Sequence, residues 1–319
     1  MSSNLERYVD IFVNLNIDKS RKAWPESTRF QSPHKPLLLM SVIDMIAQGS
    51  LKENFVEPSF GFIEIFNEYW ATVSSLLPDC QMATNFLALE EDGFWKPVPS
   101  GDEPGPVENI KDLQENYQGA KMTRRLFSLL IKESSRKKLR ETLIQTHFSQ
   151  ELHPVLVNVA LINHGAALYS KQLMSGDSAP KLKTGRGKEV NSRIGYLGFR
   201  KAILELYDNR CSICGIKLLS PEGKTVVEAV HIIPHNISKN DHPGNGIALC
   251  GTCRWAFENG FIGINSKYQV VVTTAVRLKG NLPAHLLILP DRSISKPKLK
   301  SLWPDKKNLK WHEDHLLRE

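Results

Sequence analysis

Two Cys-x-x-Cys pairs, Cys211-Ser-Ile-Cys214 and Cys250-Gly-Thr-Cys253, constrain this chain more than any other feature. Four thiolates in two close pairs suit the tetrahedral, sulfur-rich coordination of structural Zn²⁺. Such a site is worth roughly 10–16 kcal/mol to a small domain. A disulfide framework is the alternative, and two observations weigh against it. The N-terminus, Met1-Ser-Ser-Asn-Leu-Glu, lacks the charged-then-apolar pattern of a secretion signal, and Cys80 is the remaining cysteine. The expectation is one Zn²⁺ shared by Cys211, Cys214, Cys250 and Cys253.

Between the pairs lie Glu228-Ala-Val-His231-Ile-Ile-Pro234 and Asn245-Gly246-Ile-Ala-Leu249, and after them Trp255-Ala256-Phe257-Glu258-Asn-Gly260. From about Phe199 to Ile264 the order and spacing of these motifs resemble the HNH nuclease family. The resemblance implies a ββα-metal fold: a hairpin carrying the histidine, a loop carrying the asparagine, and a helix closing the metal site. It implies that His231 is a general base toward the attacking water and that Asn245 orients its ring. It further implies that Mg²⁺ or Mn²⁺ stabilises charge on the scissile phosphate. A neutral imidazole with a pKa near the working pH suits the first task, and a Lewis acid the last.

The chain departs from the family at one position. The third motif residue is normally a metal-ligating histidine just before Trp-Ala-Phe, and here it is Arg254. A guanidinium has no lone pair to offer a metal. Three readings stay open: the site is impaired or dead; another donor, His235, His242 or Glu258, holds the ion; or Arg254 itself clamps the phosphate.

At 319 residues the chain has room for two domains. Its net charge of +7 and isoelectric point near 9.1 favour a polyanionic partner, and beside a nuclease-like zinc unit that partner is double-stranded DNA. No apolar run reaches membrane-spanning length, so no membrane is expected and the expected compartment is cytoplasmic. The organisation expected is α+β: a mainly helical DNA-reading domain with a small hairpin over 1–169, a basic flexible linker over 170–193, and a zinc-stapled ββα-metal domain with a C-terminal extension over 194–319. Helical spacing is expected from Leu5 to Leu15, from Leu37 to Gly49 behind Pro36, from Phe60 to Trp70, and in one or two surface helices from Met122 to Phe148. Phe86–Leu89 and Phe94–Pro97 flank Glu90-Glu-Asp-Gly93 and read as a β-hairpin. Gln269–Thr274 reads as a strand.

The stretch Ser32-Pro33-His34-Lys35-Pro36-Leu-Leu-Leu39, with Phe86 and Gly93-Phe94-Trp95 further on, carries a second and looser likeness. It is similar to the sulfur-binding domains of endonucleases that restrict phosphorothioated DNA. In that family an apolar cup takes the backbone sulfur, which is softer and less hydrated than a phosphate oxygen. The resemblance assigns DNA contacts to His34, Lys35 and Pro36 on one loop and to Thr84, Asn85 and Ala88 near the hairpin. Thr84-Asn85 stands where the family commonly has Tyr-Pro, which makes the cup more polar. The function these likenesses imply is a modification-dependent DNA restriction endonuclease, phosphorothioate being the favoured mark. The alternatives are a catalytically inactive DNA-binding protein of the same lineage and a reader of methylated DNA. A homodimer is left open.

Overall fold

The computed structural model describes residues 4–73, 81–176, 187–220 and 224–318. The fold is α+β and mostly helical, and it divides into two compact units, the first ending at His164 and the second beginning at Gly165. No described helix is long and apolar enough to cross a membrane. Cys80 and residues 177–186, the centre of the expected linker, lie outside the described residues.

The first unit holds α1 (Asn4–Val13), α2 (His34–Ala47), α3 (Phe60–Val73), α4 (Met82–Ala88), β1 (Trp95–Pro99), α5 (Ile110–Asn116), β2 (Tyr117–Met122), α6 (Arg124–Ile131) and α7 (Glu133–His147). It also holds the start of α8 (Leu152–Met174). Helix α2 is apolar on all sides, so it belongs in the middle of a core, and it is buried from His34 to Ile46. Helices α3, α4, α6 and α7 pack around it. Its one carboxylate, Asp44, is fully enclosed and ties three neighbours together. Asp44 accepts from Tyr69 Oη of α3 at 2.9 Å and from Asn163 Nδ2 of α8 at 3.0 Å, and it is ion-paired with Arg140 of α7. Burial pushes the Asp44 carboxyl above its ordinary range, against the opposing pull of Arg140, Asn163 and Tyr69.

The expected hairpin over Phe86–Pro97 does not form. Residues 82–88 are helical, a 3₁₀ turn follows over Leu89–Asp92, and β1 pairs instead with β2, Trp95 opposite Met122. The buried residues Met82, Ala83, Phe86 and Leu89 recur at helical spacing, and burying that face outweighs the turn signal of Gly93. Gly93, at φ 75°, ends the helical segment and releases the chain into β1.

The second unit takes the rest of α8, then α9 (Lys188–Leu206), β3 (Val227–His231), α10 (His235–Ser238), β4 (Gly246–Cys250), α11 (Gly251–Glu258), β5 (Ile262–Ile264), β6 (Val270–Val272) and α12 (Lys306–Leu316). The helix feeding the first cysteine pair, α9, runs from Lys188 to Leu206. Both ends of the 170–193 stretch are helical, in α8 and α9. Strands β3 and β4 pair antiparallel, Val227 opposite Cys250 and His231 opposite Gly246, and α11 follows directly. The strand expected over Gln269–Thr274 is β6, paired with β5. The C-terminal α12 packs on β5, and His312 from α12 is buried against Phe257 of α11, bonded to its carbonyl through Nε2 at 3.0 Å.

Candidate functional site

The β3–β4 hairpin carries a different group at each end. At one end the chain turns from α9 into Cys211, and Gly215 closes the knuckle at φ 83°, a left-handed conformation that suits glycine. Its N–H bonds to the Cys211 carbonyl at 2.9 Å. Cys250 ends β4 and Cys253 sits in the first turn of α11. The four Sγ atoms lie within 4.8 Å of one another, and Cys214 and Cys250 approach to 3.7 Å. The edge of a Zn–S tetrahedron with arms of roughly 2.3 Å is about 3.8 Å, so the donors fit a tetrahedral thiolate-bound ion. The structure brings all four expected ligands together.

At the other end, His231 is the last residue of β3. Its ring lies flat on Phe199 of α9, centroids 3.8 Å apart and planes 5° from parallel. That approach depends on Gly246, the residue facing His231 across the hairpin. A Cβ there would run into Ile203 and Phe199, so the glycine lets α9 sit against the strand. His231 Nε2 meets Asp241 Oδ1 at 2.8 Å, and Tyr169 Oη of α8 donates to the other carboxylate oxygen, Oδ2, at 2.6 Å. Burial alone would raise the Asp241 carboxyl. The hydrogen bonds from His231 and Tyr169, with the charges of His231 and His235, outweigh it and hold the group below the ordinary aspartate range. Burial, and then the bond to Asp241, push the Tyr169 hydroxyl up, so it stays a proton donor. With the carboxylate accepting at Nε2, the lone pair of the neutral imidazole is on Nδ1.

Asn245 does not orient the ring. It is fully buried, its Oδ1 accepts from Ile233 N at 2.9 Å, and its Nδ2 donates to Ile233 O at 3.0 Å and to Asn240 O at 3.0 Å. A short amide that both donates and accepts is suited to bracing a turn, and here it braces the loop from which Asp241 projects. The orienting carboxylate, Asp241, and its partner Tyr169 were not singled out in the sequence. Asp241 lies in the loop beside Asn245, which offered a weak signal, whereas Tyr169 sits in a distant apolar helix and offered none.

Arg254, on α11, is ion-paired with Glu228 of β3 and with Glu258 one turn further along α11, the latter at 2.9 Å. These carboxylates hold its charge, and their hydrogen bonds raise the guanidinium pKa further. Glu258, a candidate metal ligand, is therefore engaged by a cation of the chain itself. His235 is half-exposed, with Nε2 3.6 Å from Asp241 Oδ1. His242 accepts from Gly244 N at 3.0 Å and caps a turn. Among the described residues, the four cysteines are the one group of three or more metal-ligand side chains gathered within 4.8 Å. The residues beside His231 do not form a ready three-donor site for a divalent ion.

In the first unit, His34, Lys35 and Pro36 form the first turn of α2 and are buried. His34 stacks on Trp70 at 4.6 Å, and its Nε2 accepts from Gln81 N at 3.1 Å, just ahead of α4. Lys35 Nζ is 2.9 Å from Asp92 and 3.6 Å from Glu91. The exposed loop expected for these residues is corrected: the ring and the ammonium are spent inside the fold. Thr84 is exposed on α4, with Asn85 and Ala88 partly so.

Residues 211–265 match the family model described as HNH endonuclease, a stretch that contains the four cysteines, His231, Asn245 and Arg254. The chain thus carries an HNH endonuclease domain. No curated protein matches it. Among solved structures it is similar to one titled Modification dependent TagI restriction endonuclease, at 21% identity and a TM-score of 0.29. The match covers 46% of this chain and 43% of that one, so the chain spans less than half of that protein's length.

Proposed function

We propose that the chain is a modification-dependent DNA restriction endonuclease, its HNH domain hydrolysing a phosphodiester while the first unit reads a mark on the duplex. The observation that carries this reading is the Tyr169–Asp241–His231 series. A carboxylate fixed on one side by a phenol turns its other oxygen to the imidazole, which supports His231 Nδ1 as general base. The imidazole takes a proton from water, the resulting hydroxide attacks phosphorus, and the bond to the leaving deoxyribose oxygen breaks as that oxygen collects a proton from solvent. Asp241 steadies the imidazolium so formed. A divalent ion, Mg²⁺ or Mn²⁺, would supply charge stabilisation at the phosphate and leaving oxygen. The donors around His231 fit such an ion poorly, so the native chain is expected to need high concentrations of it. Zn²⁺ is assigned to the cysteine cluster as a structural ion.

The mark favoured is a phosphorothioate, read from the surface of α4 by Thr84, Asn85 and Ala88, with His34 supporting the start of that helix from behind. A second reading, a DNA-binding protein that no longer cleaves, is favoured by the ion pairs that fix Arg254 to Glu228 and Glu258. The two part in one experiment. Matched plain, phosphorothioated and cytosine-methylated duplexes are incubated with the protein and rising Mn²⁺. Cleavage confined to a marked duplex, and slowed about 10²–10⁴-fold by His231→Ala without loss of binding, supports the endonuclease. Marked-duplex binding with no cleavage at any metal concentration supports the second reading. Equal binding to all three duplexes refutes mark reading.

A further inference from the structure

A cleft of about 280 Å³ in the first unit is lined by Asn4 of α1, by Arg124, Arg125, Ser128 and Leu129 of α6, and by Lys132 just beyond it. The three cations are exposed. Elsewhere in this unit Lys35, Lys111, Lys137 and Arg140 each face a carboxylate. Among the described residues, Arg124, Arg125 and Lys132 face none. Three like charges around one small cleft repel one another, and among the described residues no carboxylate is ion-paired with them.

We propose that this cleft is where the first unit grips the sugar–phosphate backbone of duplex DNA. The assignment rests on the DNA-directed reading above and gives it a surface that the buried Lys35 cannot provide. Two guanidiniums offer forked donors that match phosphate oxygens, and Lys132 adds a point charge. Ser128 Oγ is bonded to the Arg124 carbonyl at 2.9 Å, which leaves charge and not hydroxyl chemistry as the means of contact. Such contacts hold a duplex in register and carry no sequence information, so they act together with whatever reads the mark.

The test is fluorescence anisotropy of a labelled duplex titrated with the full-length protein across a range of salt concentrations. Removing one cation from a phosphate lowers the magnitude of the slope of log K against log salt by about 0.9. Replacing Arg124, Arg125 and Lys132 together with Gln is expected to lower it by roughly 2–3, and Arg125→Gln alone by about 1. Lys111→Gln with Lys137→Gln, which removes charges already paired, is expected to leave the slope unchanged. If the wild-type protein binds and the triple variant, with an unshifted melting temperature, keeps the wild-type slope, this assignment is overturned and the functional reading stands. If the wild-type protein binds no duplex even at low salt, both are overturned.

Discussion

Replacing Lys35 separates a structural from a DNA-contacting role. Its side chain is 3% exposed, and so is that of Asp92, 2.9 Å away, while Glu91 is 59% exposed and already hydrated. Lys35→Ala removes the ammonium and leaves the Asp92 carboxylate in a dry site with the backbone N–H of Asn16 at 2.7 Å as a remaining donor. Breaking one side of a buried pair costs about 3–5 kcal/mol, because the survivor is an uncompensated charge. For a unit of this size each kcal/mol moves the melting temperature by roughly 2–4 °C, so the transition of the first unit should fall by roughly 10 °C. Calorimetry gives the shift, and anisotropy at a temperature below both transitions gives the duplex affinity, which should stay within about twofold. Lys35→Met combined with Asp92→Leu should recover most of the stability, since an apolar pair of similar volume has no charge to desolvate. A melting temperature moved by less than about 2 °C, with affinity reduced tenfold or more, would refute the buried-pair argument and return Lys35 to the DNA surface.

Metal analysis should find about one tightly held zinc per chain, and chelation or Cys250→Ser should unfold the second unit while the first keeps its transition; a second unit that melts normally without metal contradicts the cysteine assignment. Burial holds His34 and His312 down at about 4, against about 6.5 in an unfolded chain. Between those values the unfolded state takes up a proton that the folded state refuses, so each unit should be stable above pH 6.5 and lose about 1.4 kcal/mol per pH unit below it. Unfolding titrations from pH 7 to 5 that come out flat would contradict this. Asp241→Asn, isosteric but uncharged, should slow any cleavage and shift its pH dependence while leaving duplex affinity unchanged; an unaltered pH–rate profile would remove Asp241 from the mechanism.

The sequence was most legible where chemistry restricts spacing. Two Cys-x-x-Cys pairs can meet a tetrahedral ion in few ways, whereas the part of Gly246, facing His231 and admitting α9 against the hairpin, came only with the fold. Helices α1, α3, α6 and α7 were readable because each buries a face of period 3.6, and α2 because a nearly all-apolar run lies between Pro36 and Gly49. The Phe86–Leu89 segment misled because four apolar residues and a glycine serve a helix end as well as a hairpin. Long-range partners were invisible: Tyr169 reaches Asp241 across 72 positions, and Asp92 reaches Lys35 across 57. A Lys beside two prolines reads as exposed until the fold shows where its ammonium goes. Arg254 was legible as a departure from the expected histidine, but its capture by Glu228 required the strand and helix to be brought together.

In the reading proposed here, the HNH site has its base in place and its cation site closed by Arg254. What tests this most sharply is the rate of marked-duplex cleavage against Mn²⁺ concentration for the wild-type protein, for Arg254→His and for Arg254→His combined with His231→Ala. Freeing Glu228 and Glu258 and restoring an imidazole should let cleavage saturate at a much lower Mn²⁺ concentration than in the wild type. Removing His231 should then take away about 10²–10⁴-fold of that rate. Wild-type cleavage that already saturates at low Mn²⁺ and is unchanged by Arg254→His would contradict it.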